Sequence, residues 1–220
     1  MSHGALSLER VHIAVGGRTL VDGLDLEVAA SQCTTLMGPS GCGKSTLLAY
    51  VAGSLGPPFE ASGRVLVDGD DVTGRPPERR RIGILFQDDL LFPHLTVGGN
   101  LAFALAERVR DRRERRERVA SALAEADLAG FADRDPATLS GGQRARVALM
   151  RTLLAEPRAI LLDEPFGRLD APLRDSVRRF VFEHALDRAI PLLLVTHDEA
   201  DARAAGGAVL RFGEDGALRG

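Results

Sequence analysis

Apolar residues recur at more than one period along this chain, and each period predicts a different kind of element. Over residues 6–14 and 20–28 apolar and polar positions alternate, with Leu24, Leu26 and Val28 in step and Gly16-Gly17 separating the runs. Alternation of period two predicts two strands of an antiparallel sheet with one buried face. Short runs without polar alternation predict buried strands at 33–37, 82–86, 159–163 and 191–196, and a last edge strand at 209–212. Helical spacing covers 44–52, much of 95–150 and about 171–189. Between these lie a turn-rich segment, Gly53 to Gly63 with Pro57-Pro58, and a strand at 64–69 ending in an Asp-Gly turn. The Gly- and acid-rich tail is expected to fray, and no internal repeat or low-complexity segment is visible. Strands and helices in this order predict an α/β chain with an antiparallel portion at its start.

Composition narrows the class. A chain of 220 residues, 45% hydrophobic and 27% charged, suits one ample core. The net charge of −3 gives no electrostatic reason for a nucleic-acid partner. The Arg- and Glu-rich stretch 107–118 nearly balances its charges and reads as a solvated helix face. Without an 18-residue apolar run or a basic leader, a cytoplasmic protein is expected. Cys33 and Cys42 are too few for a zinc site and suit a reducing compartment as free thiols. Cys42, near a lysine and a helix start, is the candidate for alkylation.

Chemistry enters where strands end. Gly38-Pro39-Ser40-Gly41-Cys42-Gly43-Lys44-Ser45-Thr46 fits G-x-x-x-x-G-K-[ST] and lies between a strand and a helix, the context this phosphate loop needs. Its glycines let backbone N–H groups close on an anion, and the helix start adds free donors. Lys44 is the only lysine among 28 basic residues, and a planar guanidinium would not fit so tight a cradle. Its ammonium can reach the β- and γ-phosphates, while the Ser45 hydroxyl suits Mg²⁺. Gln87 ends a core strand and is a candidate ligand or sensor. Asp163 and Glu164 end another, the first placed to hold Mg²⁺ and the second to orient an attacking water. His197 follows a third strand as a candidate γ-phosphate contact. Leu139-Ser140-Gly141-Gly142-Gln143 opens a second helix with a second anion-accepting end.

In this order, the phosphate loop, Gln87, LSGGQ at 139–143, ILLDE at 160–164 and His197 resemble the ATP-binding subunit of an ABC transporter. The stretch Leu91-Phe92-Pro93-His94-Leu95-Thr96-Val97, with Asn100, is similar to the importer subgroup for thiamine, sulfate, molybdate, iron and polyamines. The resemblance implies a P-loop NTPase core with an N-terminal antiparallel β-subdomain and an inserted helical subdomain. The core would comprise 1–88 and 151–220, and the helical subdomain 89–150. It implies ATP and Mg²⁺ as ligands, with Ser45, Gln87 and Asp163 around the metal. Glu164 would be the catalytic carboxylate, His197 the switch histidine and Asp170 the D-loop aspartate. Ser140, Gly141, Gly142 and Gln143 would bind the ATP held by a second copy, in a head-to-tail pair. It further implies permease subunits docking near Gln87 and 88–100, indirectly a periplasmic or lipid-anchored solute-binding protein, and a place on the inner face of the membrane.

The sequence departs from this pattern at several points. Val15 falls where the family usually places an aromatic residue against adenine, and Ser31-Gln32 replaces a Gly-Glu turn. The D-loop reads Gly167-Arg168-Leu169-Asp170. Regulation through a C-terminal domain is not expected. An export ATPase subunit and a soluble ABC ATPase are the alternatives. The importer-like stretch argues against the first, and the short span of 88–139 between Gln87 and Ser140 against the second.

Overall fold

The computed structural model describes residues 4–39, 41–213 and 218–219. Contacts divide the chain into one unit of 1–84, 158–164 and 182–220, and another of 85–157 and 165–181. The second unit thus takes in 85–88, 151–157 and 165–181, which the sequence places with the nucleotide-binding core.

The first unit begins with a sheet of order β2-β1-β4-β5, built from β1 (Leu6–Val15), β2 (Arg18–Val28), β4 (Phe59–Val67) and β5 (Asp70–Asp71). Gly16 and Gly17, at φ 55° and 79°, make the two-residue hairpin turn that joins β1 to β2. β4 starts at Phe59, inside the segment expected to be turns. Its polar start hides the strand, and its register slips against β1 between Glu9 and His12. Gly63 sits at that irregularity with φ 103°; a Cβ there would lie 2.6 Å from the Arg10 carbonyl oxygen.

The second sheet runs β10-β9-β3-β8-β7-β6. Its strands are β3 (Cys33–Met37), β6 (Ile82–Phe86), β7 (Ala159–Asp163), β8 (Leu192–Val195), β9 (Val209–Phe212) and β10 (Leu218–Arg219). The central β3, β8 and β7 are parallel, and all their residues except Asp163 are buried, as expected of strands covered on both faces. β9 is not an edge. Leu218 and Arg219 of the tail pair antiparallel with Phe212 and Arg211, so backbone pairing beyond the apolar run moves the edge outward.

Helix α1 (Lys44–Ala52) buries Leu47, Leu48 and Val51 with Leu36, Leu161 and Leu193 of the central strands. Its far end is held by Arg80, at the end of the short helix α2 (Pro77–Arg80). This guanidinium is only 5% exposed and donates to the carbonyls of Tyr50 and Val51 at 2.9 Å, and to those of Arg75 and Thr73. Carbonyls at a helix end lack intrahelical donors and carry the negative end of the dipole, so a buried cation is stable there. Arg80→Leu removes these buried donors, although the Tyr50 carbonyl keeps the Gly53 N–H at 3.0 Å. We expect a loss of about 3 kcal/mol, or a melting temperature lower by roughly 10 °C, checked by thermal unfolding.

The second unit is helical: α3 (Val97–Ala104), α4 (Arg112–Glu125), α5 (Gly141–Leu154) and the start of α6 (Ala171–Leu186). Side chains cap the starts of α3, α4 and α5. Thr96 accepts from the Gly99 N–H, Asp111 accepts from that of Glu114, and Ser140 with Gln143 forms a reciprocal capping box at α5. Asn100, fully buried, organises the 91–97 stretch. Its Oδ1 accepts from the Phe92 N–H at 2.8 Å, and its Nδ2 donates to the carbonyls of Phe92 and Thr96. Residues 165–181 join this unit because Arg146 of α5 donates to Ser176 Oγ at 3.1 Å and lies 5.0 Å over the Phe180 ring. Among the described residues, no helix is long and apolar enough to cross a membrane.

Candidate functional site

Sheet order brings the first group of side chains together. β8 pairs in parallel with β3 on one side and β7 on the other, so three adjacent carboxyl ends line up: Leu36 and Asp163 are both partners of Val195. Ligands collect at such strand ends. The phosphate loop follows the first, Asp163 and Glu164 close the third, and His197 follows the middle one.

Within the loop, Gly41 and Gly43 have φ 79° and 103°, which L side chains rarely adopt, and a Cβ on Gly38 would lie 2.9 Å from that of Phe212. Ser40 lies outside the described residues. Lys44 opens α1 and is only 7% exposed, its Nζ donating to the carbonyls of Gly38 and Pro39 at 2.7 Å each. A buried ammonium at a helix N-terminus, beside glycine backbone, suits a phosphate chain. Cys42, a candidate for alkylation or simply a small residue that fits the loop, is 5% exposed with its sulfur 3.6 Å from Lys44 Nζ, and this burial favours the second role. Cys33 is also free and buried, and its pKa is pushed up to about 12 by desolvation.

The Ser45 hydroxyl lies 3.1 Å from Asp163 Oδ1, a pair of oxygens able to hold a divalent cation. No cluster of three or more His, Cys, Asp or Glu that could hold a metal occurs among the described residues. A cation here would take its remaining oxygens from phosphate and water, which suits a small hard ion. Burial holds the Asp163 carboxyl above its ordinary range; the Ser45 hydrogen bond opposes this, the Glu164 charge adds to it and Lys44 opposes it. A carboxyl whose pKa is raised in the folded state loses stability as pH rises from the unfolded to the folded value. We therefore expect Asp163→Asn, without nucleotide at neutral pH, to melt about 2–3 °C higher than the parent. The gain should disappear in acid, where the parent carboxyl is also neutral.

Glu164 carries its carboxylate on a left-handed backbone, φ 48°, held by its N–H to the Val195 carbonyl at 2.9 Å. Such strain in a non-glycine residue is a mark of functional positions. Its Oε1 lies 3.2 Å from His197 Nδ1; the imidazole is 69% exposed and the carboxylate 30%. A buried pair fixes the histidine's backbone: Thr196 donates through Oγ1 to Asp201 at 2.9 Å and accepts from the Asp198 N–H at 3.0 Å. Sequence reasoning missed Thr196 and Asp201, whose only signal is two polar residues inside an otherwise apolar strand-to-helix passage.

The second unit gathers Gln87, the 140–143 loop and Asp170. Gln87 is exposed where β6 ends. A cleft of about 380 Å³ is lined by Gln87, Asp88, Gly141, Arg144, Arg168 and Leu169, among others. Ser140 and Gln143 satisfy one another's backbone N–H groups, and a Cβ on Gly142 would lie 2.4 Å from Leu173 Cδ1, so a side chain there would displace that leucine. Asp170 accepts from the Leu173 N–H at 3.0 Å. Two ion pairs that sequence reasoning missed tie these loops together: Arg168 with Asp88, and Arg144 with Asp89 at 3.2 Å. Val15, which stands where an aromatic residue against adenine was expected, has Arg18 and Phe59 as cross-strand neighbours.

The profile of the ABC transporter family matches residues 21–167. The chain is 46% identical over 199 residues to the uncharacterized ABC transporter ATP-binding protein YnjD of Escherichia coli (strain K12), covering 90% of this chain and 91% of that protein. It is 42% identical over 205 residues to the Fe(3+) ions import ATP-binding protein FbpC of Photorhabdus laumondii, covering 93% of this chain. Over 199 residues it is 43% identical to the spermidine/putrescine import ATP-binding protein PotA of Nitrosomonas europaea, covering 90% of this chain. It spans only 58% and 54% of the lengths of those two import relatives. Among solved structures, cbiO1 from Clostridium perfringens, part of the ABC transporter complex cbiONQ, superimposes with a TM-score of 0.84 at 28% identity, covering 97% of this chain and 86% of that one.

Proposed function

This chain belongs to the ABC transporter family, and on that premise we propose that it is the ATP-binding and ATP-hydrolysing subunit that energises solute import through membrane permease subunits. The observation that carries the reading is the meeting of Lys44, the Ser45–Asp163 pair and the Glu164–His197 pair at three adjacent strand ends. Import is supported by the named iron and polyamine import relatives and by the 91–97 stretch that Asn100 holds in shape.

In this reading the loop N–H groups and Lys44 bind the phosphate chain. Ser45 and Asp163, with Gln87, would hold Mg²⁺, which would supply positive charge against that of the phosphates. Glu164 orients the attacking water and accepts its proton, and His197 holds the carboxylate and contacts the γ-phosphate. Ser140 to Gln143 serve the nucleotide of a second copy in a head-to-tail pair, with Asp170 at the pair's interface. Contacts made only in the closed pair give ATP its differential affinity for that state, and hydrolysis removes it. The first unit then acts as nucleotide-binding core and the second as helical subdomain. Permease subunits dock near Gln87 and 88–100, placing the protein on the inner face of the membrane, and a periplasmic or lipid-anchored solute-binding protein takes part indirectly.

The test is affinity purification of the tagged protein from its host's solubilised membranes, with mass spectrometry of what accompanies it. A multi-span permease is the expected companion. Recovery of ribosomal or DNA-repair proteins in its place would remove the transport assignment and leave the ATPase chemistry standing.

A further inference from the structure

The arginines of α4 fall into two groups. Arg113 pairs with Glu117, and Arg118 with Glu114 and Glu156. Arg112 and Arg116, one turn apart on one face, are exposed, and no carboxylate among the described residues pairs with either. Like charges at that spacing repel. Both line a cleft of about 570 Å³ that lies wholly within the helical unit, between α4, the start of α3 and residues 132–133. The volume falls in the range of small-ligand sites. Arg115 also lines it, with its guanidinium held by the Val109 carbonyl at 2.6 Å. Asp133 is the one acid of the lining, so three guanidinium groups face one carboxylate, a net charge of +2.

The chemistry of the lining narrows the ligand. Helix α3 offers no free anion-binding end: the N–H groups of Val97 and Gly98 donate to the carbonyls of Arg134 and Ala132 at 2.9 and 2.8 Å, and that of Gly99 to Thr96 Oγ1. Recognition therefore falls to the two unpaired guanidinium groups, with the Thr96 hydroxyl proton still available to donate. Two planar forks one turn apart present more N–H donors than a carboxylate accepts, and they suit a phosphate with its several oxygens. Behind them the lining is apolar, with Val119 and the small side chains of Ala102 and Ala120. We infer that this cleft binds a phosphate group carried on an apolar body. The shared chemistry has two sources, the headgroup of an anionic phospholipid and a free phosphorylated metabolite. The inference stands on the cleft alone and does not depend on ATP hydrolysis.

The experiment compares three forms of the full chain: the parent, the double variant Arg112→Ala/Arg116→Ala, and the control Arg113→Ala/Arg118→Ala. The control removes equal charge outside the cleft. One arm is co-sedimentation with vesicles of phosphatidylglycerol in phosphatidylcholine, against phosphatidylcholine alone. The other is NMR of the α4 amides during titration with n-butyl phosphate. For a lipid headgroup, the parent and the control bind the anionic vesicles, and the cleft variant binds them roughly thirtyfold more weakly. For a free metabolite, the α4 signals of the parent and the control shift with n-butyl phosphate, those of the cleft variant do not, and no form distinguishes the vesicles. Indifference of the parent to both probes, as expected of a cleft made for an acidic peptide, would overturn the inference. So would equal losses in the cleft variant and the control, which would show diffuse charge attraction.

Discussion

Glu164→Gln is expected to bind ATP about as tightly as the parent and to hydrolyse it roughly a hundredfold or more slowly. The amide keeps the size of the carboxylate and the left-handed backbone that presents it, and it can still meet His197, 3.2 Å away in the parent. What it loses is the ability to take a proton from water. A hundredfold corresponds to about 2.7 kcal/mol of transition-state stabilisation, within the usual contribution of a positioned general base. Single-turnover hydrolysis and equilibrium nucleotide binding, measured on the same preparation, separate the two quantities. A turnover rate within threefold of the parent would take the water-activating role away from Glu164. If the head-to-tail pair is right, this variant should also accumulate as a dimer with ATP during size-exclusion chromatography.

Lys44→Ala should fail one step earlier. The ammonium is the only lysine side chain in the protein, buried at the start of α1 between the carbonyls of Gly38 and Pro39. Its removal deletes charge-assisted hydrogen bonds to the phosphate chain, each worth about 1.5–3 kcal/mol. Nucleotide affinity should fall by roughly a hundredfold or more, and hydrolysis should disappear with it. Lys44→Arg should not rescue binding, because a planar fork cannot occupy the space between two loop carbonyls. Calorimetric titration with ATP checks both variants, and an unchanged circular dichroism spectrum shows that the loss is not one of folding. Near-parental affinity in Lys44→Ala would mean that the phosphates lie elsewhere.

Local pattern carried much of this architecture. Strands 33–37, 82–86 and 159–163 and helix 44–52 stand where apolar spacing put them, because each begins and ends at a sharp change of polarity or a glycine. The strand-end residues Gln87, Asp163, Glu164 and His197 were legible for the same reason. Where elements meet was not legible locally. Ser45 and Asp163 are 118 positions apart, and they touch because β8 lies between β3 and β7. The first half of β4 was hidden by Glu60, Ser62 and Gly63, whose pairing with β1 overrides their weak strand preference. The grouping of 165–181 with the helical unit rests on Arg146 and on the fit of Leu173 over Gly142. No periodicity announces such contacts. Arg168, conspicuous in sequence only as a departure, acquires a physical role from its pairing with Asp88.

The arginine that closes the far end of the phosphate-loop helix also limits how this lineage can vary. A Cβ on Gly53 would lie 2.4 Å from Arg80 Nε, and Gly53 itself sits at φ 81°. Asparagine tolerates that backbone angle, but only where position 80 has first given up its guanidinium. The two positions, 27 apart in the chain, are therefore coupled in descent. Homologues that keep arginine at 80 should keep glycine at 53, and those with a side chain at 53 should carry a smaller residue at 80 and a different cap on the helix.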